Sequence, residues 1–255
     1  MNERKKWGHD EIVLALGLYF QTQFGKIHQS NPEIVRLAEL IGRSPSALSM
    51  KMCNLARFDE TLMRRNVSGL SNGSRLDQIV WDEYAGHREE LAARYYELIC
   101  GLRGNVPVQD DQLIKTPPGL EGERLAHYRI NQSFFRRSVI SAYDNECCIT
   151  GINDGRLLIA SHIKPWSDCE TGEERTKTEN GLCLNSLYDR AFDKGLITLD
   201  EDLRVVNSMS LRDAVNRDVY ETFFGRYEGV RIHLPARACP APEFLDYHRN
   251  NIFVA

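Results

Sequence analysis

No stretch of the chain approaches the roughly 20 consecutive apolar residues that crossing a bilayer requires, and its opening residues, MNERKK, carry charge where a secretion signal carries an apolar core. The reading that follows is a soluble cytoplasmic protein with no membrane partner. An excess of positive charge is missing too: 32 Lys and Arg stand against 36 Asp and Glu, a formal net charge of −4. The first 100 residues hold 13 of each sign and the remainder 19 against 23, so no global field draws in a polyanion. Nucleic-acid binding would have to rest on local basic clusters, with a metal ion offsetting nearby carboxylates. Seven cysteines form an odd, scattered set without a disulfide framework, which fits free thiols used as small apolar fillers.

What is present is enough apolar content, 42% of 255 residues, to fill two cores, and the two halves of the chain differ in pattern. From Trp7 to Phe24 the spacing of Ile12, Ala15, Leu16, Tyr19 and Phe20 predicts an amphipathic helix behind an acidic first turn at Asp10 and Glu11. Asn31-Pro32-Glu33 predicts the start of a second helix, running to Ile41. Gly42-Arg43-Ser44 is a tight turn, and Pro45 opens a third helix to about Phe58 that buries Leu48, Met52 and Leu55. Two short helices joined by a glycine-containing turn form a helix-turn-helix pattern, or an ordinary helical hairpin, with Ser46, Ser49, Lys51, Asn54 and Arg57 expected on outward faces. The polar run RRNVSGLSNGS at 64–74 is a loop whose Arg64 and Arg65 could follow phosphates, after which one long helix is expected from Arg75 to about Cys100.

Glycine and proline crowd 101–122, where the domain boundary is expected. A helix then carries Phe134, Phe135, Val139, Ile140 and Tyr143 on one face and the adjacent cations Arg136 and Arg137, candidates for phosphate contact or surface salt bridges. Further on, a short strand ends near His162, Lys164-Pro165 breaks it, Leu182 and Leu184 mark a second strand, and a helix from Asn185 or Ser186 closes at Gly195. Lys164 is a further candidate for nucleic-acid contact. On that last helix Asp189 and Asp193 are four residues apart and share a face. Phosphodiester hydrolysis needs a base for water, a cation to neutralise phosphate oxygens and leaving alkoxide, and a group to orient the base. His162 suits the first task, Asp189 with Asp193 suit a hard cation such as Mg²⁺ for the second, and Asn180 or a backbone carbonyl suits the third.

The words CCITG at 147–151, SHIKPW at 161–166, ENGLCLNSLYDRAFDKGLITLD at 179–200 and LDYHRNNIF at 245–253 make residues 125–255 resemble an HNH nuclease with a ββα-metal finger, as in bacterial restriction and antiviral endonucleases. The resemblance implies His162 as general base, Asn180 as its positioning residue, and Asp189 and Asp193 as ligands of one catalytic divalent ion, Mg²⁺ or Mn²⁺, with cleavage leaving 3′-hydroxyl and 5′-phosphate ends. Three positions depart from the pattern. Ser161 replaces the Asp or His that many relatives place before the base, and Tyr188 stands where close relatives often have His. Gly151 and Tyr188 occupy positions of the paired CxxC motifs, so no structural zinc is expected. The expected fold class is α+β: an N-terminal all-α helical domain (1–100) with a helix-turn-helix, a linker (101–122) and a ββα-metal HNH nuclease domain (123–255). Double-stranded DNA is the expected partner and restriction or phage defence the expected role. A homodimer, RNA as substrate, and a DNA-binding regulator with an inactive HNH domain stay open.

Overall fold

The computed structural model describes residues 6–64, 73–103 and 122–255. By its internal contacts the chain divides into two compact units, Met1–Ser141 and Ala142–Ala255. The fold is mixed and helix-rich, with two small antiparallel sheets.

In the first unit the described residues form helices α1 (His9–Gln21), α2 (Pro32–Leu40), α3 (Pro45–Leu55), α4 (Glu60–Arg64), α5 (Arg75–Tyr84), α6 (Arg88–Arg103) and α7 (Gly122–Ala142). The spacing of apolar residues predicted a one-sided α1. Instead, every residue from Ile12 to Gln21 is buried, because Ile12 to Phe20 is apolar without interruption and the helix runs through the centre of its unit. Helices α3, α5 and α6 pack around it. Gly17 makes the closest approach possible, since a Cβ there would lie 2.2 Å from the Tyr95 ring of α6. The caps act as the sequence suggests: Asn31 accepts from Glu33 N, Ser44 from Ala47 N and Ser74 from Asp77 N.

Four expectations change here. The single helix from Arg75 to Cys100 is two helices, parted at 85–87 around Gly86, whose backbone freedom favours a break. Ile79, on the apolar stripe of that expected helix with Val80 and Tyr84, is 46% exposed. On α3, Ser49 and Lys51 are buried rather than outward. Lys51 Nζ donates to Asp77 Oδ1 at 2.6 Å and sits 5.0 Å from the Trp7 ring centroid, so its charge is neutralised inside the unit. The loop residues 65–72, Arg65 among them, lie outside the described residues. Arg64 ends α4, and its side chain is likewise outside what is described. Of the 101–122 segment, 104–121 also lies outside them. Helix α7, expected to begin the second domain, packs with the first unit: Phe134 joins the core built on α1, and Asn131 Nδ2 donates to Glu89 of α6.

The second unit contains β1 (Leu158–His162), the short helix α8 (Gly172–Thr176), β2 (Gly181–Asn185), α9 (Ser186–Asp193), β3 (Ile197–Leu199), β4 (Val205–Asn207), α10 (Met209–Ala214), α11 (Arg217–Phe223) and α12 (Pro242–Asn251). Strands β1 and β2 are antiparallel, with His162 opposite Gly181 and Leu158 opposite Asn185. Helix α9 packs on both, and β3 with β4 forms the second hairpin. After the hairpin, residues 209–223 form two short helices, α10 and α11, where the sequence suggests a single helix from Asp213 to Phe224.

Candidate active site

The site grows from the β1-β2-α9 unit and from the loop 163–180 that joins its strands. Asn185 is the hinge of the unit. It is the last residue of β2 and the N-cap of α9, its Oδ1 accepting from Leu187 N at 3.0 Å and Tyr188 N at 3.2 Å. Its amide donates to Thr150 Oγ1 at 2.9 Å, tying the CCITG turn to the start of the helix. Cys147, Cys148 and Cys183 are buried here as core, and burial holds the Cys148 thiol well above its ordinary pKa.

His162 ends β1, half-buried. Its Nε2 lies 2.9 Å from the carbonyl oxygen of Arg175, and its ring meets the edge of Trp166 at 5.6 Å between centroids. A carbonyl only accepts, so Nε2 carries the proton and Nδ1 keeps the lone pair. Burial pushes the imidazole pKa down to about 4, against the opposing pull of the Arg175 carbonyl. The ring is therefore neutral at pH 7, the state a general base needs.

Asn180 is fully buried, and its side chain bonds the loop rather than the histidine. Oδ1 accepts from Lys164 N at 2.8 Å, while Nδ2 donates to Glu174 O at 2.9 Å and Lys164 O at 3.2 Å. Since Glu174 precedes Arg175, Asn180 holds the turn whose next carbonyl meets His162. Lys164 Nζ donates to Glu174 Oε2 at 2.9 Å, so the cation expected to meet nucleic acid is engaged in bracing the same loop. Glu174 Oε2 also accepts from Glu170 N. Neither the Arg175 carbonyl nor this brace had a signal in the sequence, because a main-chain acceptor can come from any residue type.

On α9, Asp189 is buried and Asp193 exposed, at the i, i+4 spacing of one helix face. Among the described residues, no group of three or more His, Cys, Asp or Glu side chains is gathered in the manner of a metal centre. A cation at this helix would draw on oxygen donors beyond the two carboxylates. In β1 the hydroxyl of Ser161 is buried and has no hydrogen-bond partner among the described residues. Carboxylate oxygens such as those of Asp189 and Asp193 are hard donors, which suit Mg²⁺ or Mn²⁺ better than a soft metal.

Tyr188 is a packing residue, its hydroxyl donating to Phe223 O and its ring lying against Phe224 and Tyr227. His248, which with Arg249 in the LDYHRNNIF word could be read from sequence as a phosphate contact or a packing residue, is 1% exposed. It stacks on Phe192 at 3.7 Å and hydrogen-bonds Thr198 Oγ1 and Phe192 O, which is a packing role. Arg249 donates to Leu199 O and pairs with Asp246. In the first unit Arg57 lies over the Phe58 ring, Arg137 pairs with Glu33 at 3.5 Å, and Arg136 is half-buried. No helix among the described residues is long and apolar enough to cross a membrane.

Comparison with curated proteins finds no match. Residues 147–200, the stretch holding the CCITG turn, His162, Asn180 and α9, match the family model described as HNH endonuclease, a family of nucleases that act on nucleic acid and generally use a divalent metal ion.

Proposed function

We propose that the chain is a metal-dependent DNA endonuclease in which His162 is the general base, Asn180 its positioning residue, and Asp189 and Asp193 the metal ligands. The observation that carries this reading is the state of His162: neutral at pH 7, with its protonated Nε2 engaged by the Arg175 carbonyl and Nδ1 holding the lone pair. Nδ1 takes the proton from a water molecule as that water attacks phosphorus. The Arg175 carbonyl stabilises the imidazolium that forms, because it already accepts the Nε2 proton. Asn180 keeps that carbonyl in place by fixing the preceding peptide. Asp189 and Asp193 would hold Mg²⁺ or Mn²⁺. The ion, when bound, supplies charge for the phosphate oxygens and the leaving 3′-oxygen.

Double-stranded DNA is the proposed substrate. The helical unit, with its α2–α3 pair, is proposed to contact DNA through phosphates, with Arg57, Arg64, Arg65, Arg136 and Arg137 as candidates. Lys51 is not among them, since its ammonium is buried on Asp77. Restriction or phage defence in the bacterial cytoplasm is the proposed setting, with a homodimer as the form that would cut both strands.

The test is plasmid cleavage in Mg²⁺ by the parent protein, by His162→Ala and by Asp193→Ala, with folding of each checked by circular dichroism. Cleavage is expected to fall by at least about 100-fold in the histidine variant and to vanish in EDTA. Parent-like cutting by either variant refutes the assignment. Salt-dependent binding of duplex without any metal-stimulated cleavage would instead favour a DNA-binding regulator, and preference for an RNA of the same sequence would reassign the substrate.

A further inference from the structure

The loop 163–180 carries three cations, and they are not in equivalent states. Lys164 is engaged by Glu174, and Lys177 lies near enough to Glu174 to help lower the pKa of that carboxyl. Arg175 has no carboxylate at salt-bridge distance among the described residues. Its Nη2 donates to the carbonyl of Cys169 at 3.0 Å, and its Nε is buried without a partner. Its guanidinium carbon stands 5.7 Å from the ring centroid of Trp166, the same ring whose edge meets His162 at 5.6 Å. The guanidinium and the imidazole thus share one aromatic neighbour, while the main chain of Arg175 bonds the imidazole directly.

A half-buried guanidinium without a counter-ion is costly unless something anionic completes it. Arginine is also the side chain best matched to phosphate, through paired N–H donors, and an aromatic face can hold it in one orientation. We propose that Arg175 has two roles: its carbonyl orients His162, and its guanidinium, held by Trp166, receives a backbone phosphate of the bound nucleic acid beside that base. This rests on the nuclease reading above. It adds a substrate contact that net charge does not suggest, and it explains why the loop is braced by Lys164, Glu174 and Asn180 rather than left slack. Formation of one guanidinium–phosphate contact also releases about one condensed counter-ion, which gives the proposal its own signature.

The experiment uses the full-length protein in a His162→Ala background without divalent metal, so that binding is read apart from cutting. Affinity for a fluorescein-labelled DNA duplex is measured across a salt series for that protein and for versions also carrying Arg175→Gln or Arg175→Lys. The glutamine substitution should weaken binding roughly five- to tenfold and make the slope of log affinity against log salt shallower by about one. The lysine substitution keeps the charge and should restore most of that slope. Because both substitutions retain the backbone carbonyl, the Nε2-protonated tautomer of His162, read by nitrogen NMR with the histidine restored, should persist in each. Unchanged affinity and slope in both variants would overturn the proposal while leaving the nuclease reading intact. Failure of the His162→Ala protein to bind duplex at all, together with absent cleavage by the parent, would overturn both.

Discussion

Asn180 shows how much a single amide can hold. It is fully buried and hydrogen-bonds the backbone of Lys164 in both directions, as well as the carbonyl of Glu174. Truncation to alanine would strand the Lys164 N–H and the Glu174 carbonyl, and leave the Lys164 carbonyl only the Cys169 thiol, in a dry environment where each unsatisfied group costs about 1–3 kcal/mol. Asn180→Ala is expected to lower stability by about 2–4 kcal/mol in urea unfolding and to cut cleavage steeply, even though the side chain bonds to no atom of the imidazole. Nitrogen NMR of His162 separates the causes: a mixed tautomer population in the variant shows that the Arg175 carbonyl has moved, whereas an unaltered tautomer would contradict the positioning role. The residue types of the site are legible in the amino-acid sequence. The route by which Asn180 acts is not, because it runs through a main-chain carbonyl that no side-chain pattern encodes.

At the scale of elements, the end of α9 is fixed by Gly195. Its φ is +66°, in the left-handed region, and a Cβ on it would lie 1.9 Å from the carbonyl oxygen of Ile252, just beyond α12. Val254 N donates to the Gly195 carbonyl at 2.9 Å, so the chain after α12 runs directly against the helix cap. Gly195→Ala combines backbone strain with a clash against main chain, and should destabilise the protein by at least about 2 kcal/mol. Thermal unfolding within a degree or two of the parent would refute this. The glycine cap of α9 is readable from sequence, as are both strands of the ββα unit and the caps of α2, α3 and α5. The breaks at 85–87 and between α10 and α11 are not. Nor is the central placement of α1, whose apolar run is compatible with either a one-sided or a fully buried helix until the neighbours are known.

Across the whole molecule, acid stability follows from buried neutral histidine. His248 is almost completely enclosed, and desolvation lowers its pKa to about 4, against an ordinary 6.5. The unfolded chain therefore binds a proton near pH 6.5 that the folded chain refuses until about pH 4. The group costs nothing above pH 6.5, and stability is lost progressively as pH falls from there toward 4. The loss attributable to His248 is on the order of 3 kcal/mol at the acid end. Urea unfolding between pH 7.5 and 4.5 should show this slope for the parent and a flatter one for His248→Gln. Equal slopes would place the acid sensitivity elsewhere. The chain's net charge of −4 makes the same point about function: no molecule-wide field gathers nucleic acid, so individual contacts must do so.

The order and spacing of His162, Asn180, Asp189 and Asp193, the capping residues and the apolar periodicities are enough to determine the ββα segment and its resemblance to HNH nucleases, because those features act over a few residues of chain. Which charges are already neutralised emerges only from the folded arrangement. Lys51 on Asp77 and Lys164 on Glu174 both read as solvent-facing cations in the sequence, yet one has a partner from a distant segment and the other a partner across a loop turn. Arg175 attracts no notice there, and it stands without a carboxylate beside the ring that touches His162. Pairing of charges depends on distance through space, which falls outside what a linear pattern records.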